Sequence, residues 1–209
     1  MGQIGEARRK NPVQGLDEMT TLHTAYFPSV PWFSTLWNQP TVVLEACEHY
    51  QKGSTRNRCH IAGPNGEQRL SIPLVKGKHQ QTPIREVRIA YDEPWQRQHW
   101  RSIRTAYGNA PFFEHYADGL APFFERRTVF LFDLNWEVLQ FLIQKTGWRG
   151  EVLFSEKYEG GASDAVGTPR YPQVFEEKTG FLPNLSMLDL LLCCGRQSGA
   201  ILSGRKNDE

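Results

Sequence analysis

The chain has 209 residues, 39% apolar and 12% aromatic, enough for one medium domain with a sizeable core or two small ones. Its formal charge of +1 gives no strong field toward nucleic acid or a membrane surface, so neither is expected as a partner. The four cysteines, Cys47, Cys59, Cys193 and Cys194, contain no Cys-x-x-Cys pair. The adjacent Cys193 and Cys194 suit neither a common disulfide nor zinc, so the expectation is reduced thiols in a cytoplasmic protein, with no metal and no cofactor.

Residues 1–19 include Arg8, Arg9 and Lys10 and few apolar groups, and read as a disordered lead-in without the apolar run of a signal peptide. No stretch approaches the ~20 apolar residues of a spanning helix, so no membrane insertion is expected. Leu22 to Phe27 reads as a strand ended by Pro28 and Pro31, Trp32 to Trp37 as a short helix, and Thr41 to Ala46, rich in β-branched residues, as a second strand. Strand, short helix, strand suggests a parallel crossover. Arg58 to Ala62 and Arg69 to Leu74 predict a hairpin around Gly63-Pro64-Asn65-Gly66. Alternation puts Cys59, Ile61, Leu70, Ile72 and Leu74 on one face and Arg58, His60 and Ser71 on the other. Pro73 marks an edge or an end of the second strand.

Residues 76–83 read as a polar loop and Arg85 to Ala90 as a strand. Trp95 to Tyr107 predicts the central helix: at ~100° per residue, Trp95, His99, Trp100, Ile103, Ala106 and Tyr107 share an arc with Gln96, and Arg97, Arg101 and Arg104 lie opposite. Gly108 is expected to close it in a positive-φ conformation. Phe112 to Arg126 reads as two short helices broken near Gly119 and Pro122, and Thr128 to Phe132 as a buried strand. Trp136 to Thr146 predicts a helix capped by Asp133 or Asn135 and ended by Gly147. Val152 to Phe154 reads as a strand and residues 159–168 as a flexible loop. The last helix starts at Ser186, with Asp189 at capping-box spacing, and runs to Gly195. The alternation predicts one α/β domain over residues 20–195, a mixed sheet with an antiparallel hairpin flanked by helices, followed by a tail at 196–209.

Several stretches in order resemble the WbqC-like family of bacterial proteins. They are Tyr26-Phe27-Pro28, Arg56-Asn57-Arg58, Trp95-x-x-x-His99, Ala106-Tyr107, Ala110-Pro111-Phe112-Phe113 with Tyr116, Phe132-Asp133-Leu134-Asn135, Tyr171-Pro172-Gln173-Val174-Phe175, and the run from Phe181 to Leu191. The chain is most similar to the family's shorter members. Two departures stand out: Thr24-Ala25-Tyr26-Phe27-Pro28 lacks the family's commoner Gln-Pro pair, and Arg170 stands where a family histidine precedes the Tyr-Pro-Gln segment. The family's name comes from genes in O-antigen and other surface-polysaccharide clusters, and it carries no agreed catalytic residues. The resemblance implies a transferase acting on an activated sugar or acyl donor. A noncatalytic ligand-binding or assembly protein of the same pathway, or a nucleotide-binding α/β protein, are the alternatives.

The residues suggest a small-molecule ligand, anionic or sugar-like. Arg56 and Arg58, flanking Asn57, offer forked donors for phosphate or carboxylate, or else ordinary salt bridges at a solvated strand start. His99 on an apolar face suits a general base, or a core histidine bonded to a carbonyl. Tyr107, Asn109 and Tyr116 can line a sugar pocket, or simply pack and cap. His23 and Tyr26 are further binding candidates. Phosphate-loop, zinc and nucleophile-elbow signatures are absent from the sequence.

Overall fold

The computed structural model describes residues 19–75, 82–158, 160 and 167–204. The lead-in at 1–19 therefore lies almost wholly outside the described residues, as do most of the loop at 159–168 and most of the polar loop at 76–83.

The fold is α/β, and its parallel and antiparallel pairings sit in two sheets. Strands β1 (Thr21–His23), β2 (Thr41–Glu45) and β5 (Glu151–Phe154) form a parallel sheet in the order β1-β2-β5. The central β2 is buried along nearly its whole length, which is why it reads as the continuous run Thr-Val-Val-Leu-Glu without alternation. Helix α1 (Val30–Trp37) makes the crossover from β1 to β2. It begins two residues earlier than expected, because Ser29 Oγ accepts from Trp32 N and Pro31 fits the first turn. Strand β1 is shorter than expected. Past His23 the chain turns away to bond Tyr26 N to Thr55 O, with Phe27 at φ 40°.

The hairpin β3 (Arg58–Gly63) and β4 (Gly66–Ser71) forms the second sheet, with Cys59 opposite Leu70 and Arg58 opposite Ser71. The turn occupies only the two residues between Gly63 and Gly66, so β4 starts before Arg69. Leu74 leaves the hairpin and forms an isolated bridge to Ile89.

Helix α2 (Trp95–Tyr107) buries Trp95, His99, Ile103, Ala106 and Tyr107 and exposes Arg97, Arg101 and Arg104, the division its periodicity predicts. Its glycine works differently from expectation. Gly108 keeps a right-handed φ of −56°, and a Cβ there would stand 2.6 Å from Arg104 O, so close approach rather than positive φ requires it. The left-handed cap is Gly147, φ 81°, at the end of α5 (Leu131–Thr146).

Two expected strands are absent. Arg85 to Ala90 holds a 3-10 turn at Ile84–Glu86 and isolated bridges at Arg88 and Ile89. In place of a strand at 128–132, α5 starts at Leu131, since Leu131, Leu134, Val138 and Leu142 continue one helical stripe into the core. A short apolar run does not by itself separate a buried strand from a helix start. Asp133 and Asn135 accordingly lie inside the helix and do not cap it. Helices α3 (Phe113–Leu120) and α4 (Pro122–Glu125) follow α2 closely, and α6 (Glu176–Thr179) precedes α7 (Met187–Cys194). Ser186 is the N-cap of α7 but its side chain makes no capping bond. Its N–H already donates to His60 O, and Asp189 accepts from Tyr107, so the capping box does not form. Beyond Gly195, α8 (Ser198–Leu202) buries Ser198 and Leu202 and packs on α1, so residues 196–202 belong to the folded body.

Candidate functional site

A cleft of about 430 Å³ opens at the carboxyl ends of the parallel strands. His23 is the last residue of β1, Glu45 the last of β2, and the two are register partners. Both line the cleft, with Glu48, Arg56, Thr55 and Tyr158 among the other walls. Open parallel sheets place ligands at this end because the loops leaving the strands diverge there and bring side chains from separate elements together.

His23 is half-buried and its Nε2 lies 2.8 Å from Thr55 Oγ1. Burial, and next the nearby Arg56 charge, lower its pKa from 6.5 to about 4, so the ring is neutral at pH 7. Glu48 and Arg56 form a forked pair: Arg56 Nε donates to Glu48 Oε1 at 2.7 Å and Arg56 Nη2 donates to Glu48 Oε2. With side-chain exposures of 6% and 3%, the pair is buried. Burial pushes the Glu48 carboxyl up, and the guanidinium draws it back. Arg56 Nη1 also reaches Gln51 Oε1 at 3.5 Å, and Arg56 O accepts from Asn135 Nδ2. The guanidinium is thus engaged by the protein itself. Glu45 Oε1 accepts from Cys47 N at 2.7 Å and from Ser155 Oγ, which ties β2 to the chain leaving β5. Tyr158 is 59% exposed at the rim.

The remaining sequence-derived candidates divide. Tyr26 and Arg58 line a second, smaller cleft of about 240 Å³, which shares Thr55 with the first. Asn57, between the two arginines, turns inward: its Oδ1 accepts from Tyr50 Oη and its Nδ2 donates to Ile72 O. His99 is 5% exposed and lines neither cleft. Its Nδ1 lies 3.0 Å from Tyr26 Oη, and the ring bonds the backbone of Ser71. The Ser71 bond favours the charged ring, so the ring donates to it; Nε2 then carries the proton and Nδ1 accepts from Tyr26. Burial lowers this ring to about 4 as well, with the Ser71 bond opposing. Tyr107 is fully buried, donates to Asp189 Oδ1 at 2.8 Å and accepts from Ala62 N at 2.9 Å. Tyr116 is 2% exposed, against the ring of His115, and Asn109 stands in solvent beyond α2. Tyr107, Asn109 and Tyr116 line neither cleft.

Sequence reasoning missed Glu45, Glu48, Thr55 and Tyr158. Glu45 carried one usable signal, a carboxylate ending a strand otherwise apolar. Thr55 opens a 3-10 turn at Thr55–Asn57 and the other two sit in loops, and the approach of all three depends on the fold.

A family model described as the WbqC-like protein family matches residues 24–166. The chain belongs to the WbqC-like family. The match takes in β2 to β5 but not β1, and covers the large cleft except Thr21 and His23. Comparison with curated proteins and with solved structures returned no significant match. Within the described residues of this WbqC-like chain, no helix is long and apolar enough to cross a membrane, and no group of three or more His, Cys, Asp and Glu side chains could hold a metal ion.

Proposed function

We propose that this WbqC-like protein is a transferase of surface-polysaccharide biosynthesis, handling an activated sugar or acyl donor in the large cleft. The observation that carries the proposal is the convergence of neutral His23 with Glu45, Glu48, Gln51 and Thr55 at the carboxyl end of a parallel sheet. The Glu45 carboxylate, the Gln51 amide and the Thr55 hydroxyl are acceptors and donors that match the hydroxyls of a sugar, and the exposed Tyr158 ring offers it an apolar face. The family's association with polysaccharide gene clusters points to the same substrate class. A cytoplasmic location, where activated donors are made, accords with four free thiols.

In the proposed reaction an acceptor hydroxyl attacks the donor's electrophilic carbon. Its proton passes to the unprotonated ring nitrogen of neutral His23, and the leaving group departs with the bonding electrons. The Arg56–Glu48 pair braces the wall instead of holding the donor. His99, closed off by Tyr26 and Ser71, serves the core. The test is a thermal-shift and turnover screen of nucleotide sugars and acyl-CoA donors against wild type, His23→Gln and Tyr158→Ala. A ligand of this class should raise the Tm by mass action, His23→Gln should bind it without turnover, and Tyr158→Ala should bind it more weakly. Absence of any stabilising donor, or full turnover by His23→Gln, refutes the proposal.

A further inference from the structure

The smaller cleft has a different chemistry. It lies between the segment around Tyr26-Phe27-Pro28, the start of β3 and the segment around Asn184, and among the described residues no carboxylate lines it. Arg58 lines it from β3, and its Nη1 reaches toward Gly53, 3.8 Å from where a Cβ there would sit. The Arg58 Nε is shielded from solvent and has no hydrogen-bond partner, and among the described residues no carboxylate pairs with this guanidinium. Ser186 enters from the opposite side, 0% exposed, and its Oγ also has no partner. Buried polar atoms are nearly always bonded, so unsatisfied donors on two residues that line one cavity point to a ligand that accepts there.

The backbone around the cleft supports the same conclusion. Ser29 and Ser186, the N-caps of α1 and α7, pair in an antiparallel bridge and both line the cleft, so two helices begin at its wall. Their N-terminal ends carry partial positive charge, which favours an anion. Only two non-glycine residues among those described take positive φ, Phe27 at 40° and Asn184 at 63°, and both line this cleft. Asparagine tolerates that region, but phenylalanine before a proline does not favour it, so the packed structure must hold Phe27 there. Glu67 contacts His60, a lining residue, at 3.3 Å, but its own side chain is 46% exposed and water screens its charge.

We infer that the smaller cleft is an oxyanion site of phosphate type, with Arg58 and Ser186 as its donors. Donors arriving from separate elements on opposite sides suit a tetrahedral anion, whose oxygens point in four directions, whereas a carboxylate presents its acceptor sites in one plane. The inference does not depend on the reaction proposed for the large cleft, since it uses neither His23 nor any donor sugar.

The test is binding of inorganic phosphate to the full chain, followed by 31P line broadening and by Tm at matched ionic strength against chloride and acetate. Wild type should bind phosphate in preference to both. Arg58→Gln should weaken phosphate binding at least tenfold. Ser186→Ala should weaken it several-fold while raising the Tm of the phosphate-free protein, because it removes a buried hydroxyl without a partner and loses no cap. Arg97→Gln, on the solvated face of α2, should change nothing. Phosphate binding no stronger than chloride, acetate binding equal to phosphate, or undiminished binding by both Arg58→Gln and Ser186→Ala would each overturn the inference. If Arg58→Gln does not fold, Ser186→Ala alone decides, because its folded state is expected to be the more stable one.

Discussion

His99 gives the sharpest test of how this core is held. The ring accepts from Tyr26 Oη, donates to the Ser71 backbone and is 5% exposed, so truncation removes a packed ring and leaves two polar partners unsatisfied. His99→Ala should cost about 2–4 kcal/mol at pH 7.5, combining a cavity with lost hydrogen bonds. A glutamine can still accept from Tyr26 and donate to Ser71, so His99→Gln should cost less than about 1.5 kcal/mol. The pH dependence separates the explanations further. The folded-state pKa is depressed from 6.5 to about 4, so the stabilisation from the neutral ring is complete above pH 6.5 and is lost as the pH falls through 4. That shift corresponds to about 3 kcal/mol. Urea denaturation of wild type and His99→Gln at pH 7.5 and 4.5 measures it. His23 and Asp189 also titrate near this range, but they are common to both proteins and cancel in the comparison. The variant should lose less stability on acidification than wild type. An unchanged pH slope, or a His99→Ala variant within about 0.5 kcal/mol of wild type, would refute the account of His99 as a buried neutral hinge between α2, Tyr26 and β4.

Asp189 works in the opposite direction. Burial raises its pKa from 3.8 to about 6, so its contribution is present below pH 3.8 and is lost, by about 3 kcal/mol, as the pH rises through 6. Asp189→Asn should flatten that part of the Tm-versus-pH curve; an unaltered curve would show the carboxyl to be ionised without penalty. Arg56→Ala leaves Glu48 buried and without its partner, and should destabilise by about 3–5 kcal/mol in urea denaturation; a loss under about 1 kcal/mol would mean that the pair behaves as an exposed one. All four cysteines are free thiols, so Tm should be the same with and without reductant, and a drop on reduction would reveal a bridge.

Local pattern alone carried much of the fold. The hydrophobic arc of α2, the crossover from Leu22 through α1 to Val43, the hairpin around Gly63 and Gly66, and the Gly147 cap all follow from periodicities and turn residues close in sequence. The ordered Tyr-Phe-Pro, Arg-Asn-Arg and Trp-x-x-x-His segments pointed to the WbqC-like family, which the family match over residues 24–166 shows. The failures share a cause. Thr128 to Phe132 is a short apolar run and Arg85 to Ala90 a short mixed one; the local preference of both is ambiguous, and their conformation was settled by what they pack against: Val87 O receives Leu131 N, and Arg88 meets Phe130.

The candidate sites were legible as residue types but not as places. Charge and spacing made Arg56 and Arg58 look like one anion clamp. The chain turns between them, so Arg56 is taken by Glu48 on one side of Asn57 and Arg58 opens into a separate cleft on the other. Amphipathic periodicity placed His99 on the buried face of α2, yet it carried no information on which groups would meet the ring. Those are Tyr26, 73 positions away, and the backbone of Ser71. The large cleft unites His23 and Glu45 through strand register, and adds Tyr158 from beyond β5, more than a hundred residues later. Periodicity decides which face of an element is buried, because that depends on neighbours a few residues away. Which side chains share a cavity depends on how distant elements pair, and that is decided only when the chain has closed its long loops and paid their entropy.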